Sequence, residues 1–343
     1  MASARRITVL GSGFVASNVA QSLRTRFPGA SISLASRQTT PKVDVTDVDS
    51  LRQAIDGSDT VINTVGLLQA SPKVFESVQH EGAHNVARVT AENSGKLIQI
   101  SAIGSNASST LPYPRTKALG EAAALEECPD ATIIRPSLIF GPGDSFFNRF
   151  STLAKYMPFL PVFGDGQTLF QPVYVGDVAE AVSIFAGAVE DARVAERVNG
   201  KIAEAGGPEV FTYRQIMQLV LDYSGISRPI VPVPWIVAKL QAAVIEKLPM
   251  PALLSITRDQ VEQLKSNNIV TPRHERGQEQ ISFRELLHDF SDVQPRSVHD
   301  ILPLYLSPEN HPARLRTGEK GDGAAKEEER RRKREQLKNK TSY

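Results

Sequence analysis

A short apolar run at residues 7–10 leads into Gly11-Ser12-Gly13-Phe14-Val15-Ala16, after which apolar residues recur at Val15, Val19 and Leu23. No other feature constrains the fold of this chain as tightly. Spacing by four marks one face of a helix, so the glycines join a strand directly to a helix. Gly-x-Gly-x-x-[Gly/Ala] at such a junction lets a helix N-terminus meet a pyrophosphate. Gly11 allows the tight turn, Gly13 lets backbone approach the phosphates, and Ala16 permits close packing of helix on strand. Ser12, Phe14 and Val15 complete the loop. An ordinary βα turn is the plainer reading, and the residues that follow decide between them.

They continue the alternation. Strands are expected at 32–35, 60–63, 96–101 and 132–136, with helices at 47–55, 75–93 and 117–127 between them. Pro28-Gly29 closes the first helix. Strands alternating with helices predict a parallel sheet covered on both faces. The expected class is therefore α/β, a Rossmann-type doubly wound parallel sheet with a smaller C-terminal substrate-side part. The expected division is 5–205 for the dinucleotide-binding domain, 206–312 for the C-terminal region and 313–343 for a tail. Past Gly141 the pattern loosens, and helices are expected at 178–189 and 212–223. Prolines at 229–234 and 249–251 bracket an amphipathic helix, 235–248. From Arg314 on, 11 basic and six acidic residues stand without core-forming neighbours, so the tail reads as disordered or as a solvated helix.

With 41% apolar residues among 343, the chain can bury a core, and a net charge of +1 argues against nucleic acid as a partner. One cysteine, Cys128, excludes an intrachain disulfide framework. His80 and His84 lie four apart on an expected helix with no third ligand, so no metal site is expected. No apolar run is long enough to span a bilayer. The first acidic residue is Asp44, preceded by Arg5, Arg6, Arg24, Arg26, Arg37 and Lys42. That start reads equally as a mitochondrial targeting segment or as a basic first βα unit. With a strand from about Ile7, no separate presequence is expected ahead of it.

An acidic residue at the end of the second strand would favour NAD. Here Ser36-Arg37 stands there, and a guanidinium can pair with a 2′-phosphate. NADP(H) is expected ahead of NAD(H). Tyr113 and Lys117 form a Tyr-x-x-x-Lys pair on one helix face. An ammonium beside a phenol favours the phenolate, which could exchange a proton with a carbonyl while hydride moves. Ser101 could hydrogen-bond the substrate oxygen, with Ser105 as substitute. The plainer reading has Tyr113 packed on the sheet and Lys117 binding only ribose hydroxyls. Asp177 is expected to cap or start a helix, and Glu121 to be a solvated helix residue.

The ordered motifs GSGFVA (11–16), DVTD (44–47), NTVG (63–66), ISAIGS (100–105), YPRTK (113–117), RPSLIFGPGD (135–144) and QPVYVGDVAEAV (171–182) make the chain resemble an atypical, extended short-chain dehydrogenase/reductase. With SITRDQVEQL at 255–264, they resemble most the branch holding the NAD(P)H-binding accessory subunit of mitochondrial complex I and its fungal relative in ubiquinone biosynthesis. Members of this branch carry one more residue in the glycine loop and end it in glycine, where this chain has Ala16. The resemblance implies that Asp44 and Val45 lie near the adenine, Asn63 and Gly66 along the cofactor, and Pro136 and Ser137 past the nicotinamide. It implies a mitochondrial protein on the matrix side of the inner membrane, working within a ubiquinone-biosynthesis or complex I assembly. The expected function is tied to ubiquinone synthesis, acting on a quinone-like or isoprenoid substrate. The alternative is a non-catalytic accessory or assembly subunit of complex I. Segment 235–248 would lie at the membrane surface or cover the cleft.

Arg37 generates the first prediction. NADPH is expected to bind more tightly than NADH, and Arg37→Asp to reverse the order by removing a charge-assisted phosphate pair of about 1.5–3 kcal/mol. Equal affinities for the two nucleotides in titration calorimetry of the unaltered protein would refute the assignment.

Overall fold

The computed structural model describes residues 5–237, 257–275, 277 and 279–308. Most of the expected helix 235–248 and all of the charged tail lie outside the described residues. Strands β1 (Arg6–Leu10), β2 (Ser31–Ala35), β3 (Thr60–Asn63), β4 (Lys96–Ile100), β5 (Thr132–Pro136), β10 (Ile202–Ala205) and β13 (Gln280–Ser282) form one sheet, in the order β13-β10-β5-β4-β3-β1-β2. Every pairing in it is parallel. The chain places β2 on one side of β1 and then crosses to place β3 on the other. This reversal opens a crevice at the carboxyl end of β1, where ligands of such sheets bind.

Helix α1 (Phe14–Arg26) buries Ala16, Val19, Ala20 and Leu23, packing on α7 (Val175–Ala186) across one sheet face. The opposite face is covered by α2 (Val48–Ile55), α4 (Gly82–Glu92) and α5 (Pro112–Glu127), through Leu51, Ile55, Val86 and Ala124. Asp47 caps α2 by accepting the Asp49 and Ser50 N–H groups. Helix α3 (Pro72–Phe75) runs through a π-turn, Glu76–Glu81, into α4. α5 starts five residues before the expected 117, because Pro112 and Pro114 both fall in its first turn, where no N–H is missed.

A second apolar group lies off the sheet. There α6 (Phe146–Tyr156) packs on the helix Tyr213–Ser224 and the helix Val298–Leu306, burying Phe147, Leu153, Tyr213, Ile216 and Leu302. Three two-stranded pairs frame it: β6 (Ile139–Phe140) with β9 (Val173–Tyr174), β7 (Leu160–Phe163) with β12 (Ile230–Val233), and β8 (Leu169–Phe170) with β11 (Phe211–Thr212). The chain crosses residue 205 in both directions. Segment 139–170 serves the second group before 205, while β13 and the helix Phe283–Ser291 return to the sheet after it, with Phe283, Leu286 and Leu287 in the core against α7. Among the described residues, no helix is long and apolar enough to cross a membrane.

Candidate nucleotide site

The glycine loop sits at the sheet's crossover. Gly11 has φ +121°, and its N–H donates to the Ala35 carbonyl at 2.8 Å, tying the end of β1 to β2. A Cβ on Gly11 would lie 2.3 Å from Thr64 Oγ1, whose hydroxyl donates to the Leu10 carbonyl. Ala16 is buried directly beneath, its Cβ 3.6 Å from that same position. Gly13 begins α1 with extended backbone and no side-chain cap, and among the described residues nothing beyond its immediate chain neighbours lies within 4 Å of where its Cβ would be. The first N–H groups of α1 thus face an approach open to an anion. The residues present fit a pyrophosphate.

Toward β2, Ser12 accepts from Ser36 Oγ at 3.0 Å, and Arg37 beside it is exposed. Asp44 accepts the Thr46 backbone and hydroxyl donors. Burial pushes its carboxyl up, but these bonds and the Arg37 charge together hold it below the ordinary value. Val45 is buried and its carbonyl takes the Asn85 amide. Phe14 and Val15 are half-buried at the start of α1.

Beyond β3, several expected ligands are engaged with the protein itself. Asn63 spends its side chain on Gln99 and on the Val65 N–H, shaping the turn that presents Gly66. Pro136 is buried at the end of β5, and Ser137 bonds the Asn268 carbonyl and side chain at 2.9 and 2.6 Å. Lys117 is buried, with Nζ donating to the Ile100 carbonyl at 3.2 Å and lying 3.0 Å from the Cβ position of Gly66. Burial brings its ammonium down to about 8, against the pull of Glu121.

The expected phenolate is not favoured. Tyr113 packs edge-on against Phe75, its ring 6.1 Å away, and burial pushes its hydroxyl up to about 12. Lys117 is one turn on but addresses the Ile100 carbonyl and Gly66. The Ser101 hydroxyl points elsewhere too, donating to a Glu121 carboxylate oxygen. Ser105, 3.0 Å from Ser101, has the Ala102 carbonyl at 2.8 Å.

Glu121 is far from the solvated residue its helix position suggested. It is buried and receives Arg135 through both Nε (2.9 Å) and Nη2 (2.6 Å). Arg135 Nη1 also faces Glu204 at 3.8 Å, and Glu204 accepts the Thr271 N–H at 2.7 Å. This chain of charges runs across the carboxyl ends of β4, β5 and β10. The available signal was a charged residue inside the apolar strands TIIRP and IAEA. Asp177 lies in the first turn of α7, but its carboxylate accepts the Arg296 N–H at 2.6 Å rather than capping the helix, and burial raises it to about 6. His80 bonds Glu76 at 2.5 Å and His84 bonds Glu127 at 2.9 Å.

Residues 7–199 match the model of the NAD dependent epimerase/dehydratase family. The chain is 34% identical over 239 residues to "NADH dehydrogenase [ubiquinone] 1 alpha subcomplex subunit 9, mitochondrial" of Arabidopsis thaliana, covering 67% of this chain and 58% of that protein. It is 24% identical over 258 residues to "NADH-ubiquinone oxidoreductase 40 kDa subunit, mitochondrial" of Neurospora crassa, covering 75% and 64%. The chain therefore matches less than two thirds of the length of either relative. Among solved structures, dTDP-glucose 4,6-dehydratase (DesIV) from Streptomyces venezuelae has the same fold, with a TM-score of 0.62 at 18% identity, covering 88% of this chain and 95% of that one.

The ion pair makes a stability prediction. Glu121→Leu would leave the Arg135 guanidinium largely buried against Glu204 alone, and is expected to cost about 3–5 kcal/mol. Ser101→Ala, which removes one hydroxyl, should cost about 1 kcal/mol. Urea unfolding measures both, and equal losses would refute the primacy of the ion pair.

Proposed function

The chain belongs to the NAD dependent epimerase/dehydratase family, and from that premise we propose that it is a dinucleotide-binding accessory protein of the mitochondrial respiratory chain. The bound nucleotide serves structure rather than turnover. Gly11, Ser12, Gly13, Phe14 and Val15 would hold the pyrophosphate, with Asp44 and Val45 near the adenine and Arg37 near the 2′-position, which favours NADP(H). Asn63 shapes the turn that carries Gly66, and Gly66, Lys117, Pro136 and Ser137 would flank the second half of the dinucleotide. When bound, a nicotinamide supplies a hydride donor or acceptor.

One observation carries the non-catalytic reading. The hydroxyl protons of Ser101 and Ser105 both point into the protein, toward Glu121 and the Ala102 carbonyl. The Tyr113 hydroxyl meanwhile has no hydrogen-bond partner among the described residues and is pushed away from ionisation. General acid catalysis needs a proton aimed at the reacting oxygen, and the Ser101 proton is engaged by Glu121, which supports the non-catalytic reading. The relatives, named as mitochondrial NADH dehydrogenase [ubiquinone] and NADH-ubiquinone oxidoreductase subunits, support membership of such a mitochondrial assembly, and its place on the matrix side of the inner membrane rests on the sequence resemblance. A role in ubiquinone synthesis rests on the sequence resemblance alone.

The full chain is expected to bind NADPH without oxidising it on addition of a short-chain ubiquinone, and Tyr113→Phe should leave affinity unchanged within about twofold, there being no hydrogen bond to lose. Tagged protein isolated from mitochondria should carry complex I subunits. A quinone-dependent rate in the native protein that disappears in Tyr113→Phe would overturn the non-catalytic reading.

We also propose peripheral membrane contact next to β12. Trp235 lies against Gly164, where a Cβ would come within 2.4 Å of the indole, and Lys265 lies 5.4 Å from its ring. This anchorage leaves Ile236 75% and Val237 50% exposed in the two residues that follow Trp235. Apolar side chains next to a cation suit an anionic lipid surface. Native protein is expected to float with cardiolipin-containing vesicles, and Ile236→Asp combined with Val237→Asp to release it. Native protein left at the bottom of the gradient would rule this contact out.

A further inference from the structure

Gln79 is 4% exposed and belongs to none of the motifs read from the sequence. It lies in the π-turn Glu76–Glu81. A π-turn adds a residue to the helical turn and recurs at functional positions. Here the turn delivers the Gln79 amide between two loops. Its Oε1 accepts the Leu67 N–H at 2.9 Å, and its Nε2 donates to Thr116 Oγ1 at 3.0 Å. The Thr116 hydroxyl donates in turn to the Pro112 carbonyl at 2.8 Å, so it is free to accept. Two glycines admit this arrangement. A Cβ on Gly120 would meet the Gln79 carbonyl oxygen at 2.4 Å, and one on Gly82 would meet Val45 Cγ2 at 2.7 Å.

The two partners of Gln79 are the residue after Gly66 and the residue before Lys117. Gly66 and Lys117 themselves meet. The Cβ position of Gly66 is 3.0 Å from Lys117 Nζ and 3.7 Å from Gln79 Oε1. A neutral amide holds the two segments without pairing with the ammonium, whereas a carboxylate there would bind it. In the sheet order, Arg37 marks the β2 end of the cleft, α1 begins beyond β1, and Gly66 and Lys117 follow β3 and flank β4. A dinucleotide laid from β2 across the N-terminus of α1 therefore brings its second ribose to Gly66 and Lys117.

We propose that Gln79 is the positioning residue of the second half of the dinucleotide site, setting the distance between the Gly66 backbone and the Lys117 ammonium. This rests on the nucleotide-binding reading above. Gln79 does not touch the nucleotide. It acts through Leu67 and Thr116. A purely structural tie between the π-turn and α5 is the competing role, and it would affect the whole site alike.

Calorimetry of the full chain separates the two, using NADPH and the fragment 2′,5′-ADP, which carries the adenosine side alone. Gln79→Met keeps the length and removes both hydrogen bonds. It is expected to weaken NADPH about tenfold, as the loss of roughly one net hydrogen bond would, while 2′,5′-ADP stays within about twofold. Thr116→Val removes only the far partner and should weaken NADPH alone by about threefold, which keeps the test open if Gln79→Met does not fold. NADPH binding unchanged in both variants, or an equal loss for both ligands, overturns the inference. Native protein that binds 2′,5′-ADP as tightly as NADPH also overturns it, while leaving nucleotide binding intact. Native protein that binds neither ligand removes the nucleotide reading and this inference together.

Discussion

The hydrogen bond from the Gly11 N–H to the Ala35 carbonyl is the constraint on which the cleft depends. It forms where the chain leaves β1, between its parallel neighbours β2 and β3 on opposite sides. Only a residue at φ +121° closes that turn, and the Thr64 hydroxyl leaves no room there for a side chain. Because the turn is this tight, α1 starts with its free N–H groups facing the crossover, and Ala16 can sit beneath the loop. Ser12 meets the β2 loop and Thr64 the β3 loop, so both halves of the cleft are referenced to one peptide group.

Away from that turn, the site is organised by burial of charge. Lys117, Glu121, Arg135 and Glu204 span the carboxyl ends of three strands, where isolated charges would be costly. They persist because each is answered: Glu121 by a bidentate guanidinium and a hydroxyl, Glu204 by a backbone N–H, Lys117 by a carbonyl. The same bonds engage the Ser101 proton with Glu121, while burial alone sets the Tyr113 phenol, which stays protonated.

Much of this was legible in the sequence. The strands through residue 136 and the helices between them follow from apolar periodicity and from Gly and Pro punctuation, and they lie close to where the spacing placed them, apart from the earlier start of α5 and the π-turn ahead of α4. The glycine loop was legible because its residues act through backbone shape. What could not be read was the direction of side chains. Tyr113 and Lys117 stand four apart on α5, yet one faces Phe75 and the other the Ile100 carbonyl. Glu121 looked solvated because a helix position does not reveal that Arg135, on β5, lies opposite. Gln79 was invisible because its reach depends on the extra residue of a π-turn, which no apolar spacing records. Strands β10 and β13 are short, and their pairing with β5 and with each other comes from contacts distant in sequence.

The edge strand β13 and the helix after it carry a consequence for biosynthesis. They supply the last rail of the sheet and, through Phe283, Leu286 and Leu287, part of the layer against α7. A nascent chain that has emerged only as far as β10 holds every phosphate-loop residue but shows an unpaired sheet edge and an uncovered apolar flank. The sheet and that flank are completed only once residues 280–291 are available. Until then the growing polypeptide presents the kind of surface that chaperones hold.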